Sequence, residues 1–162
     1  MAEYSDAREF FEAVREASRE AERTRLTLMQ MEAREGVRAQ GYEAQGSSGH
    51  MSDRTASTDA RMDYEERMRE RLEEDYALID LACRVLYGEE SDKGGVEALM
   101  GSAVADAISF RYVDARPWKE VAALMGYSHA SWHALRDMCQ RGFDAIDALG
   151  WERAIEGVGD AT

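Results

Sequence analysis

Two imidazoles one helical turn apart, His129 and His133, stand among hydroxyls and cations: Ser128, Ser131, Arg136, Gln140 and Arg141. Residues four apart share a helix face, so this set could serve either of two chemistries. One is metal ligation, with Cys139 one and a half turns on. A closed zinc site needs four ligands, and the remaining candidates, His50 and Cys83, lie far off in the chain, so no metal is expected. The other chemistry is hydrogen bonding to nucleic acid. Histidine, serine and arginine can all bond base edges or phosphates, and Arg136 is the side chain able to grip guanine bidentately.

Other candidates for chemistry fall away on spacing. Glu65-Glu66, Glu73-Glu74 and Glu89-Glu90 are sequence neighbours. On a helix they point in different directions and read as solvated faces, not as an acid/base pair. Gly46-Ser47-Ser48-Gly49-His50-Met51 lacks the Gly-Lys-Ser/Thr end of a phosphate loop and follows no strand. Cys83 and Cys139 fall among apolar helix positions and read as core. No Ser-His-Asp arrangement or dinucleotide fingerprint is present, so neither an enzyme nor a cofactor is expected.

The elements that must position the donors are helical. A first helix carries Val104, Ile108 and Phe110-Arg111-Tyr112 and ends near Asp114-Ala115-Arg116. Pro117, the single proline, suits the first turn of a new helix because it has no backbone donor to lose there. Trp118 to Met125 is that short helix. Gly126 permits a sharp turn, Ser128 is placed to cap the next helix, and His129 onward is helical to about Leu149. Val121, Met125, Tyr127, Trp132 and Leu135 are apolar where two such helices must bury against each other, and Ala122 is small where they cross. That combination is what a helix-turn-helix requires. Its second helix would present base-reading residues to a major groove: Ser128, His129, Ser131, His133 and Arg136. Arg116 and Lys119 would meet backbone phosphate at the preceding helix, with Gln140 and Arg141 doing so further along.

Phe110-Arg111-Tyr112-Val113-Asp114, Trp118-Lys119-Glu120-Val121-Ala122 and Met125-Gly126-Tyr127-Ser128 together resemble region 4 of a bacterial sigma factor. In overall layout the chain is similar to small phage and prophage proteins that carry such a region at the C-terminus, and His133 and Leu135 match a His and Leu common in their second helix. The resemblance covers residues 104–148 in motif. It implies a phage regulator that binds promoter-like double-stranded DNA, RNA polymerase, or both. The alanines and scarce Lys/Arg on the reading helix depart from sigma region 4.

Upstream, residues 5–38 are helix formers. Phe10, Val14, Ala17, Ala21, Thr24, Leu28 and Met31 repeat at alternating steps of four and three, a heptad seam. Such a seam serves either a hairpin within the chain or a second subunit, hence a homodimer through the N-terminal helices. Ser5 is a candidate N-cap. Gly and Ser crowd between Ala39 and Asp59, a flexible linker by composition. Helical character resumes at a Ser57-Thr58-Asp59 cap. Met68, Leu72, Tyr76, Ile79, Cys83 and Leu86 then form an apolar stripe, closed by Gly88, and Asp92-Lys93-Gly94-Gly95 reads as a turn. The expected fold is all-α: a long N-terminal helical hairpin, coiled-coil in its seam, followed by a C-terminal helix-turn-helix domain. The segments are 1–38 (long helix), 39–60 (linker), 61–95 (second long helix and turn) and 96–162 (helix-turn-helix domain).

The net charge of −13 cuts against a simple DNA binder. Residues 100–162 hold 6 Lys/Arg against 9 Asp/Glu, and the first 99 hold 14 against 24. Duplex DNA rewards cations placed on phosphate. Two functions therefore stand side by side: a DNA-binding transcriptional regulator of phage type, and an acidic inhibitor or nucleic-acid mimic, of anti-restriction or anti-CRISPR type, that occupies the basic groove of a host nucleoprotein complex. No apolar run reaches the ~20 residues a membrane span needs. The acidic N-terminus lacks the basic start of a signal peptide, and two isolated cysteines make no disulfide framework. A cytoplasmic setting is expected.

Overall fold

A computed structural model describes residues 4–42, 51–89 and 94–157 of the chain, and all its regular elements there are helical. In order they are α1 (Ala7–Tyr42), α2 (Met51–Tyr87), α3 (Gly95–Met100), α4 (Ser102–Ile108), a π-helical turn (Ser109–Val113), α5 (Trp118–Leu124), a 3-10 turn (His129–Ser131), α6 (Trp132–Leu149) and α7 (Trp151–Glu156). The all-α class and the long N-terminal helix pair are those expected. Both long helices reach into the segment whose composition suggested a linker. Ser57, Thr58 and Asp59 lie inside α2 and not at its cap. Residues 43–50, including the Gly46–His50 stretch, lie outside the described residues.

The start of α1 shows how local chemistry sets a boundary. Asp6, not Ser5, supplies the side-chain cap, its Oδ1 accepting the Glu9 N–H at 2.8 Å. Glu9 in turn accepts from the Ser5 backbone N–H at 2.7 Å, and the Ser5 hydroxyl bond to the same carboxylate draws its pKa below the ordinary value. A further orphan donor of the first turn, the Ala7 N–H, is satisfied by Asp147 of α6 at 2.8 Å, so one helix end is capped partly by tertiary structure.

The chain divides into two compact units, residues 1–19 with 76–162, and residues 20–75. In the first, fully buried side chains come from elements along its whole length: Phe10, Phe11 and Val14 of α1, Val85 and Leu86 of α2, Val96 of α3, Ile108 of α4, and Cys139, Phe143 and Ile146 of α6. Phe11 stacks on Phe143 with ring centroids 5.3 Å apart, and Tyr112 meets Phe143 edge-on at 5.4 Å. Phe10 packs between Tyr4 at 5.4 Å and Trp151 at 4.9 Å. Such paired rings add directional preference to the burial itself.

The second unit is an antiparallel hairpin. Ion pairs join Glu20 to Arg71 at 3.2 Å, Glu32 to Arg69 at 3.5 Å, and Glu35 to Arg61, the α2 partner moving backwards as α1 advances. Glu65, nearly buried, sits between Arg61 at 3.6 Å and Arg69 at 3.8 Å. Most of the seam read from sequence is buried within the single chain: Phe10, Val14 and Ala17 in the first unit, Ala21, Thr24 and Leu28 in the second, while Met31 is only half-buried. On α2, Leu86 of the expected stripe is fully buried, but Tyr76 is 47% exposed, and burial passes instead to Ala82 and Val85.

Candidate nucleic-acid interface

Residues 118–149 bend where the spacing predicts. Helix α5 ends with the Gly126 N–H bonded to the Ala123 carbonyl at 3.2 Å and the Tyr127 N–H bonded back to Ala122 at 2.8 Å. The second of these bonds is the long closure of a Schellman-type end, and it requires a left-handed residue at Gly126, whose φ is +76°. Ser128 is extended, with φ −69° and ψ 152°, and a 3-10 turn over His129–Ser131 leads into α6. The two helices are pinned by Val121, Ala122 and Leu135, all fully buried, with Phe110, Trp118 and Met125 packed against them. Tyr127, expected in this small core, is 41% exposed instead, because the tight closure at Gly126 carries it past the end of α5.

The donors read from sequence divide by what they touch. His129, His133, Arg136 and Arg141 are exposed, as is Lys119 at the start of α5. Among the described residues, no carboxylate lies within ion-pairing distance of Lys119, Arg136 or Arg141. Arg116 differs: its guanidinium is held by Asp114 at 3.6 Å and Glu120 at 3.5 Å. Gln140 donates its amide to Asp144 at 2.9 Å. Ser128 does not cap α6 with its side chain; its hydroxyl shares a hydrogen bond with that of Ser131 at 3.0 Å. The His133 ring stacks on Trp132, centroids 3.6 Å apart and 29° from parallel, which limits the orientations of that imidazole. Asp137, exposed and one turn beyond His133, puts a negative charge among these donors. The surface thus offers hydrogen-bond donors and three cations free of carboxylate partners among the described residues.

One contributor was not singled out from sequence. Arg111, on the π-helical turn, donates from Nη1 to the Arg116 carbonyl at 2.9 Å, and its guanidinium lies 4.7 Å from the Trp118 ring centroid. Burial, with Arg15 close by, pulls its pKa below the ordinary arginine value. An arginine seven residues before a tryptophan is the only signal that could have pointed to the contact.

A second charged surface lies on the hairpin. Asp59, Asp63, Glu66, Glu70 and Glu73 recur at steps of four and three along α2 and are all exposed. Successive carboxylates are therefore roughly 5 Å apart along the helix axis. Among the described residues none of the five carboxylates takes part in an ion pair.

Among the described residues no three His, Cys, Asp or Glu side chains converge as a metal group would need, and His50 lies outside them. Cys139 is 1% exposed, and burial pushes its thiol up to about 12; burial also raises Cys83. Tyr112 is likewise pushed up to about 12, by burial and then by Cys139 and Glu12. Both groups hold their protons longer in the fold than in the unfolded chain. The stability they contribute is complete below the unfolded thiol value of 9.0 and is lost as pH rises towards 12. Urea midpoints measured from about pH 8 to about pH 11 should fall above pH ~9, and Tyr112→Phe should flatten part of that fall. Equal slopes in the two proteins would contradict the assignment.

Among the described residues no helix is long and apolar enough to cross a membrane. In comparisons with known proteins the chain matches no family model, no curated protein and no solved structure.

Proposed function

We propose that the chain is a DNA-binding transcriptional regulator of phage type that reads duplex DNA with α6 and steadies itself on phosphate with α5. The observation that carries this reading is the bend at Gly126, with His129, His133 and Arg136 exposed beyond it while Val121, Ala122 and Leu135 are buried beneath. A helix propped in this way can enter a major groove with its first turns against base edges. Lys119 and Arg141 supply charge for phosphate. The resemblance to sigma region 4 adds promoter-like DNA as the target and RNA polymerase as a neighbour on it.

A mobility-shift assay on promoter DNA from the chain's own operon, at low and moderate salt, tests the proposal. Specific binding is expected, and Arg136→Ala should weaken it by about 1–3 kcal/mol, roughly 5- to 150-fold, if the side chain grips a guanine. No shift of any duplex at low salt removes the reading.

The row Asp59–Asp63–Glu66–Glu70–Glu73 favours a second reading, an acidic protein that imitates a phosphate backbone and fills the basic groove of a host nucleic-acid-binding complex. The same assay separates the two. A mimic leaves free duplex unshifted and strips a basic DNA-binding protein from it; a regulator does the reverse.

A further inference from the structure

The segment that delivers the chain into α5 combines a π-helical turn with a left-handed alanine. Helix α4 opens into the π-helical turn Ser109–Val113, closed by the Asp114 N–H on the Ser109 carbonyl at 2.9 Å. The Arg116 N–H reaches back to Phe110 at 3.0 Å, and Ala115 just before it has φ +53°, the one non-glycine residue with positive φ among those described. Backbone of this kind is strained, and persists where its surroundings over-determine it. Such outliers gather at functional sites, as π-helical turns do.

What over-determines it is Arg111. We infer that Arg111 is a positioning residue for DNA binding, clamping the Arg116 carbonyl and the Trp118 ring on either side of Pro117 so that Lys119, at the start of α5, faces phosphate. This rests on the DNA-binding reading above. Arginine suits the task because one planar group donates in its plane and stacks through its face; lysine can donate but cannot stack in the same way. Two features tie the side chain to this internal role and not to solvent or ligand. Its Nε is buried with no hydrogen-bond partner, and burial together with Arg15 and Arg19 disfavours its charge. In this reading Arg111 acts through the start of α5 and not through a DNA contact of its own. It sets where α5 begins, and Glu120 and Val121, whose N–H groups both bond the Pro117 carbonyl at 3.0 and 3.1 Å, report whether that start is held.

The test compares wild type, Arg111→Met, Arg111→Lys and Lys119→Ala as full chains. Two readouts are used: amide exchange at Glu120 and Val121 without DNA, and the salt dependence of binding to specific and random duplex. Each phosphate contact contributes about 0.9 to the slope of log K against log salt. Arg111→Met should reduce the slope by about 1 and weaken specific and random duplex in the same proportion, because base contacts lie on α6. Lys119→Ala should reduce it by about 1 in wild type and by much less in the Arg111→Met background. Arg111→Lys should fall between, and decides the matter if Arg111→Met does not fold. Unchanged slopes, or a Lys119→Ala effect of full size in both backgrounds, overturn the inference while leaving DNA binding intact. Faster exchange at Glu120 and Val121 with no binding by wild type means that the clamp is real and the DNA reading has failed. Unaltered exchange in both variants removes the clamp.

Discussion

Replacing Gly94 by alanine is expected to cost about 3 kcal/mol or more, lowering the melting temperature by roughly 10 °C. Gly94 precedes α3 in fully extended backbone, with φ −172° and ψ −178°, so its torsions would suit any residue. The obstacle is space. A Cβ there would lie 1.9 Å from the Ile155 carbonyl oxygen and 2.9 Å from its carbonyl carbon. Both are backbone atoms of α7, and no rotamer change relieves the overlap. Either α7 moves off α3 or the chain entering α3 is displaced. Trp151, which packs edge-on against Phe10 at 4.9 Å, would be drawn away with α7. A calorimetric scan gives the loss, and near-ultraviolet circular dichroism reports the aromatic environment. An alanine variant that melts within about 2 °C of wild type would show that α7 can shift without penalty.

Phe143→Ala is expected to cost about 3–5 kcal/mol, the usual range for emptying a buried phenylalanine site. Phe143 is 1% exposed and touches rings from two other elements, Phe11 of α1 and Tyr112 of the π-helical turn. A cavity there cannot be filled by a small adjustment, because its walls belong to separate helices whose positions are set by other contacts. Phe143→Leu keeps most of the apolar volume and loses the ring geometry, so about 1–2 kcal/mol is expected. Equilibrium unfolding of the three proteins measures the series, and an alanine loss under about 1 kcal/mol would mean that the cluster is not the centre of this unit. The same substitution should disturb the candidate interface, since Phe143 and Leu135 lie on the buried side of the helix whose other side carries His133 and Arg136.

Much of this architecture is legible without coordinates because it is written in periodicity. Phe10, Val14, Ala17, Ala21, Thr24 and Leu28 recur at the seam spacing and are all buried. Gly126 carries the positive φ that a sharp exit from α5 demands, and Leu135 and Val121 close the small core the bend requires. These features are local: helix period, a missing Cβ, and apolar residues one turn apart act over a few neighbours and leave their mark in order along the chain. Composition misled where it spoke of averages. The Gly and Ser content around residues 39–60 suggested a linker, yet α2 begins at Met51. There the flanking helix formers, and just beyond them the Arg61–Glu35 ion pair to α1, offset the weak propensity of Ser57 and Thr58.

The net charge of −13 by itself sets an expectation of weak duplex binding, and spacing by itself places the bend at Gly126 with the polar donors beyond it. Tertiary structure alone decided which cations are available. Arg116 is taken up by Asp114 and Glu120, while Lys119, Arg136 and Arg141 have no carboxylate partner among the described residues. It also brought Arg111 onto Trp118 and the Arg116 carbonyl, and Gly94 against the backbone of Ile155. The physical reason is range. A periodic pattern records what each helix buries, whereas ion pairs, ring contacts and backbone collisions depend on where a second element comes to rest.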